Sequence, residues 1–207
     1  MNAVIPKQFL LLAGKPMLMY PIEAFYHAYP DISMVVALPA GQFTTWKTLC
    51  EEYAFTIPHQ LVAGGETRFQ SVKNALSVIG DDGLVAIHDG ARPLITESLI
   101  RTAFLTAGES GACIPVVPLN ESVRFVSGGK NRPVNRVKYS VVQTPQVFQT
   151  AIIKKAYRQE FRKKFTDDAT VAESIGATIH LIEGDPVNFK ITHPYDLAAA
   201  EVLLRNP

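Results

Sequence analysis

A carboxylate and a guanidinium three residues apart, in His88-Asp89-Gly90-Ala91-Arg92-Pro93, follow the apolar run Leu84 to Ile87. That run reads as a buried strand, and ligands of open α/β sheets sit beyond the carboxyl ends of such strands. A second cassette lies upstream, Gly64-Gly65-Glu66-Thr67-Arg68-Phe69-Gln70-Ser71. Its two glycines follow the strand-like run Gln60 to Val62 and open a helix. Read singly, each cassette is an ordinary strand-to-helix loop. Read together, they point to a nucleotide site built from strand ends. His88 points the other way along its strand from Asp89 and is read as a packed histidine. His27, His59, His180 and His193 show no ligand spacing, and no Ser/His/Asp or Cys/His arrangement is present.

The elements that must carry these cassettes alternate between apolar runs and amphipathic stretches. Ser33 to Leu38 reads as a strand and Gln42 to Tyr53 as a helix. Thr67 caps a helix on which Phe69, Val72, Leu76 and Ile79 recur at helical spacing. A helix starts at about Thr96, with Ile100, Ala103, Phe104 and Ala107 on one face, and Ala112 to Val117 is a further strand. Continuous rather than alternating runs imply burial on both faces, hence an α/β fold with a mostly parallel sheet covered by helices. Helices are expected near Gln149 to Glu160 and Thr166 to Ile175, a strand at Thr178 to Ile182, and a closing helix after His193-Pro194.

The rhythm breaks between Leu119 and Gln143. Ser122 to Val126 and Val134 to Val142 flank a turn signal, Ser127 to Asn131, and predict a protruding hairpin arm. Such a ribbon has too little core to stand alone, and Val123, Phe125, Val134, Val137, Val141 and Val142 need cover. A two-fold partner supplies it, so residues 119–143 are expected to form a dimerisation arm within one domain, 1–207. A formal charge of +1 provides no cationic field for a nucleic-acid backbone. Cys50 and Cys113 have no metal-ligand spacing; together with the lack of a signal-like or membrane-length apolar segment they predict a soluble, cytoplasmic chain.

Six motifs in order then carry a resemblance: Pro6-Lys7-Gln8-Phe9-Leu10 with Gly14-Lys15-Pro16, Gly64 to Ser71, His88 to Pro93, Thr144-Pro145-Gln146, Thr166-Asp167-Asp168-Ala169, and Asn188-Phe189-Lys190-Ile191-Thr192. The chain resembles the 2-C-methyl-D-erythritol 4-phosphate cytidylyltransferases, CTP-using enzymes of non-mevalonate isoprenoid synthesis with a Rossmann-like nucleotidyltransferase fold. Two departures stand out. The family opens with a strand and a glycine-rich, arginine-bearing loop where this sequence has only Met1 to Ile5. The expectation is a chain lacking that phosphate loop, through truncation, a displaced start or an incomplete sequence. The family's Asp-Thr with a lysine two positions on is replaced in Pro118-Leu119-Asn120-Glu121-Ser122-Val123-Arg124, where Ser122 keeps the hydroxyl and Arg124 a cation.

The resemblance implies attack by a monophosphate on the α-phosphorus of CTP, helped by cations and positioning rather than by a nucleophilic side chain. By this likeness Lys7 stabilises charge on the transferring phosphate, Lys190 grips the incoming phosphate, and Arg136 positions the substrate. Asp89, Ser122 and Thr166 face the substrate. Gly65, Glu66 and Ser71 read cytosine, Ala91 lies near the ribose, and Asp89 adjoins Mg2+ carried mainly by the CTP phosphates. Arg68 is expected to brace its loop and Arg92 to be a structural ion-pair partner. Thr166 is equally an N-cap, and Asp167 and Asp168 are mainly structural. The polar flanks Asn188 and Thr192 suggest an exposed setting for Lys190. Arm residues Ser122 and Arg136 are candidates for service at a neighbouring subunit's site. Two other readings stay open: a ribitol-5-phosphate cytidylyltransferase, and a degenerate, non-catalytic nucleotide-binding relative.

Overall fold

The computed structural model describes residues 6–205; the stretch expected to lack the first strand and phosphate loop, residues 1–5, lies outside them, as do 206 and 207. After a 3-10 turn at Lys7–Phe9 comes a small antiparallel ribbon, β1 (Leu11–Leu12) with β2 (Lys15–Pro16), then α1 (Met19–Ala28). Next are β3 (Val35–Leu38), α2 (Phe43–Glu52), β4 (Gln60–Ala63) and α3 (Arg68–Leu76). They are followed by β5 (Leu84–Ile87), α4 (Glu97–Ser110) and β6 (Ala112–Pro118). Helix starts are set locally: Thr67 accepts from Gln70 N, and Thr96 from Leu99 N. The end of α4 falls at Gly111, whose φ of +88° is the left-handed conformation that stops a helix.

The arm contains β7 (Arg124–Ser127) and β8 (Lys130–Pro133), joined through Gly128 and Gly129, both at positive φ. Its second strand is therefore not Val134 to Val142. That stretch makes a 3-10 turn at Arg136–Lys138 and returns as β9 (Ser140–Val142), which pairs with β6. Every residue of β7 and β8 is exposed. The chain closes with β10 (Gln146–Gln149), α5 (Thr150–Ala156), α6 (Asp168–Glu173), β11 (His180–Glu183) and α7 (Pro194–Arg205).

The α/β architecture agrees with the sequence reading, with one difference in the sheet. The main sheet runs β11-β6-β10-β5 with β9 also on β6, and β10 lies antiparallel to both β5 and β6. Only β11 and β6 are parallel neighbours there, while β3 and β4 form a separate parallel pair. The sheet is thus mixed. Continuous apolar runs report burial on both faces, and an interior antiparallel strand such as β10, with Val147 and Phe148 fully buried, shares that burial. Helices α3, α5 and α6 enclose a core around Phe69, Phe148, Ile153 and Tyr157, and α1 and α4 meet around Phe25, Leu99 and Ile100. Among the described residues no helix is long and apolar enough to cross a membrane.

Candidate active site

Asp89, the second residue after β5, gathers the charges. Its Oδ1 accepts from Arg68 Nε at 3.2 Å and its Oδ2 from Lys190 Nζ at 2.9 Å, while Arg92 Nε stands 3.8 Å from Oδ2. Burial alone would raise this carboxyl, but the Arg68 charge and the bonded Lys190 outweigh it and hold the group at about 2. It is ionised at neutral pH. Arg68 is itself clamped: Nη1 and Nη2 donate to the two oxygens of Asp168 at 2.8 and 2.7 Å. Asp168 is fully buried and also accepts from Tyr157 Oη at 2.6 Å. Burial and the Asp168 charge push the Tyr157 phenol up, so it remains a donor. The expectation that Arg68 braces its loop agrees with this two-point grip.

His88 is a connector. Its Nε2 lies 3.1 Å from Arg92 O, which can only accept, so Nε2 carries the proton and Nδ1 accepts from Thr144 Oγ1 at 3.1 Å. Thr144 Oγ1 in turn accepts from Asp89 N at 3.1 Å. Burial lowers the imidazole to about 4, which keeps it neutral, and its ring meets Phe25 edge-on. Arg92 is nearly buried; Nη1 donates to Asn188 O at 2.8 Å and Nη2 to Val142 O at 3.4 Å. Its side-chain bonds go to backbone carbonyls, and its guanidinium approaches the Asp89 carboxylate no closer than 3.8 Å.

Lys190 is half-exposed and rides on a well-anchored loop. Asn188 is not an exposed flank but fully buried, with Nδ2 donating to Thr144 O at 2.8 Å. Ile191 is also fully buried, and its N–H donates to Ala91 O at 2.8 Å. Ala91 thereby ties the Asp89 loop to the Lys190 loop through its backbone. Lys7 sits on the first 3-10 turn, held by the buried Phe9, which stacks on Trp46. Burial lowers the Lys7 amine and the nearby Lys190 charge lowers it further, with Asp196 and Asp89 acting in the opposite sense. Lys7, Lys190 and Asp89 thus share one electrostatic neighbourhood although they are distant in sequence.

Beside this cluster lies a cleft of about 410 Å3 lined by Leu38, Pro39, Gly64, Gly65, Glu66 and Ser71, among others. The loop after β4 folds tightly here: Gly64 N donates to Leu38 O at 2.8 Å and Gly65 N to Ser71 Oγ at 3.1 Å. A Cβ on Gly65 would come 2.2 Å from Gln70 Cγ, so no larger residue fits. The same loop runs directly into Arg68, which joins the cleft to Asp89.

The structure corrects one assignment in the fifth motif, Thr166 to Ala169. The N-cap of α6 is Asp167, whose Oδ1 accepts from Thr170 N at 2.9 Å in a capping box; Thr166 is the exposed residue before it. A carboxylate next to the helix start outcompetes a hydroxyl one residue further out. Thr166 lines a smaller cleft of about 180 Å3 with Arg68, Phe69, Tyr157, Phe161 and Phe165. Ser122 and Arg136 lie on the exposed arm, where Arg136 donates to Asn120 O. Among the described residues no bond joins either one to the Asp89 cluster. Sequence reasoning passed over Tyr157 and gave Thr144 and Gln146 no role. The Thr144-Pro145-Gln146 motif was the available signal; Tyr157 had none. Gln146 is buried, with Nε2 donating to Asp167 Oδ2 at 3.0 Å and Oε1 accepting from Ala169 N at 2.8 Å.

Comparison with known proteins agrees with this geometry. The sequence profile of the 2-C-methyl-D-erythritol 4-phosphate cytidylyltransferase family matches residues 1–206. A protein of that name from Bacteroides fragilis is 45% identical over 204 residues, covering 99% of this chain and 93% of the relative. The namesake from Azobacteroides pseudotrichonymphae is 47% identical over 205 residues, 99% of this chain and 92% of its own. The crystal structure of the Thermus thermophilus cytidylyltransferase superposes with a TM-score of 0.81 at 34% identity, over 97% of this chain and 94% of the other. The chain belongs to the 2-C-methyl-D-erythritol 4-phosphate cytidylyltransferase family.

Proposed function

We propose that the protein transfers CMP from CTP to 2-C-methyl-D-erythritol 4-phosphate in non-mevalonate isoprenoid synthesis, giving 4-diphosphocytidyl-2-C-methyl-D-erythritol and pyrophosphate. An oxygen of the acceptor phosphate attacks the α-phosphorus. The bond from that phosphorus to the bridging oxygen breaks, and its electron pair leaves on pyrophosphate. The observation that carries this reading is the convergence of Lys7, Lys190 and Arg68 around Asp89, next to the cleft that ends at Gly65 and Ser71. Two anions must approach one another here, and fixed cations offset the charge that accumulates between them.

In this reading Gly65, Glu66 and Ser71 take the cytosine edge, with Ala91 at the ribose. Lys7 stabilises the transferring phosphate, Lys190 grips the acceptor phosphate, and Asp89 and Thr166 border the acceptor. Asp89 is one ionised carboxylate, and among the described residues no three His, Cys, Asp or Glu side chains cluster as a metal cage. That donor set fits Mg2+ held by Asp89 and the triphosphate, where it would neutralise phosphate charge. The arm reaches a second copy of the chain, which covers the exposed Phe125, Val126 and Val137 and receives Ser122 and Arg136 at its own site. The setting for this chemistry is the cytoplasm, where CTP is made available to a soluble enzyme.

The test is pyrophosphate release from CTP and Mg2+, with 2-C-methyl-D-erythritol 4-phosphate or ribitol 5-phosphate as acceptor. Turnover with the methylerythritol compound, and CTP ahead of UTP and ATP, is expected. Faster turnover with ribitol 5-phosphate overturns the acceptor, and no acceptor-dependent release overturns the reaction.

A further inference from the structure

Lys190 stands on a loop, 184–190, that belongs to no helix or strand, so its place beside Asp89 depends on what fixes that loop. Gln143 does much of this. It is 3% exposed, and its side-chain amide meets the Asp185 peptide at both ends. Nε2 donates to Asp185 O at 2.8 Å, and Oε1 accepts from Asp185 N at 3.2 Å. That is the exchange a neighbouring strand would make, performed on the peptide just past the end of β11 by the side chain that follows β9. Its backbone is fixed too: Gln143 N donates to Pro115 O at 2.9 Å, and Gly184 N to Val116 O at 2.8 Å. Gly184 leaves the room required, since a Cβ there would stand 2.6 Å from Gln143 Oε1. Asn188 closes the arrangement, 3.5 Å from Gln143 Oε1 and bonded to Thr144 O, two residues before Lys190.

If the position needed only filling, an apolar side chain of the same size would do it without burying an amide. Both ends of the amide are spent on the Lys190 loop, and no bond from it reaches Asp89 or the cleft. We propose that Gln143 is a positioning residue for Lys190, holding the 184–190 loop so that the ammonium meets the acceptor phosphate. The inference rests on the reading of Lys190 given under the proposed function.

The experiment compares Gln143→Met, Lys190→Met and the double variant in steady-state kinetics with CTP, 2-C-methyl-D-erythritol 4-phosphate and Mg2+. Ile153→Val, a trim in the core around Phe148, is compared with Gln143→Met by thermal unfolding and carried through the same kinetics as a stability reference. Gln143→Met is expected to raise the acceptor KM by about 10-fold and to change the CTP KM by less than about 2-fold. In the double variant the acceptor KM should not exceed that of Lys190→Met alone, because both changes remove one interaction. An unchanged acceptor KM in Lys190→Met removes the functional reading, and the proposal with it. A raised KM in Lys190→Met beside an unchanged one in Gln143→Met overturns the proposal alone. Equal rises in both KM values, additive effects in the double variant, or the same split in Ile153→Val also overturn it. Should Gln143→Met not fold, Gly184→Ala presses on the same contact from the loop side and must give the same split. Failure of both to fold assigns Gln143 to the fold and overturns the proposal.

Discussion

Asp89→Asn removes the carboxylate that Arg68, Arg92 and Lys190 share, and its cost can be worked from proton affinity. In the folded chain burial works to raise the Asp89 carboxyl, yet Arg68 and Lys190 hold it at about 2, against an ordinary 3.8. At about 1.36 kcal/mol for each tenfold change in proton affinity, the difference corresponds to roughly 2.4 kcal/mol of stabilisation. The side chain is only 15% exposed, so solvent screening removes little of it. The sign follows from the lowered value. The contribution is present above the unfolded-state value and is lost as pH falls through the folded one. Linkage leaves about half of it at roughly pH 3. Urea unfolding of the parent and Asp89→Asn at pH 7, 4 and 3 should therefore give a stability gap of about 2 kcal/mol at pH 7 and about 1 kcal/mol at pH 3. A gap of equal size at both extremes would refute the ion-pair origin. A gap under about 0.5 kcal/mol at pH 7 would refute the magnitude.

Three further outcomes are expected. Lys7→Ala should lower kcat with little change in KM, because the amine acts mainly as charge develops, whereas Lys190→Ala should also raise the acceptor KM; near-normal kinetics in both would remove these roles. Replacing Asn120 to Lys138 by a short glycine linker should give a monomer of much reduced activity in sedimentation and turnover assays, and an active dimer would show that the arm does neither job. In the core between α2 and the β3–β4 pair, Trp46 Nε1 donates to His59 Nε2 at 2.8 Å, and His59 Nδ1 donates to Ile57 O at 2.8 Å. His59→Leu leaves the fully buried Trp46 N–H without its acceptor and should cost about 1–3 kcal/mol, read by the fluorescence of the single tryptophan during urea unfolding; a loss below about 0.3 kcal/mol would count against that bond.

What was legible in the sequence was what is decided locally. Thr67 and Thr96 cap their helices because a hydroxyl beside the first turn is a short-range device, and Leu84 to Ile87 forms β5 because a four-residue apolar run between loops can hardly do otherwise. The partner of β7 was not legible. Both faces of the arm are exposed, so no hydrophobic pattern selects the register; the two-glycine turn does, and it chooses the polar Lys130–Pro133 over the valines beyond. Nor was β10, four residues whose place between β5 and β6 depends wholly on distant pairing. The Lys7, Lys190 and Arg136 roles came from resemblance alone. Geometry then joined Asp89 to Lys190 across 101 positions and Arg68 to Asp168 across 100, which no local pattern could announce.

The division of charge in the site explains why so many cations are needed for one transfer. Arg68, Arg92 and Lys190 form their ion pairs with two carboxylates among the described residues, Asp89 and Asp168, while Lys7 feels Asp89 and Asp196 without pairing with either. The arginines are committed on the protein side: Arg68 grips buried Asp168 with both terminal nitrogens, and Arg92 spends its own on carbonyls of the Lys190 loop and of β9. They fix Asp89, and through it the resting position of Lys190. The lysines are the cations left to meet a ligand. Lys190 is half-exposed, and Lys7, lowered by burial and by Lys190, makes no ion pair among the described residues. Two like charges held this close repel, and an anion entering between them relieves that repulsion. On these grounds Lys190→Met should let the Lys7 amine rise toward its ordinary 10.5, since one of the two influences that lower it is gone. The check is the pH dependence of Lys7 acylation by an amine-reactive reagent, followed by peptide mapping in the parent and the variant. A midpoint that moves upward supports the shared site, and one that stays put would mean that Lys7 and Lys190 do not share one electrostatic neighbourhood.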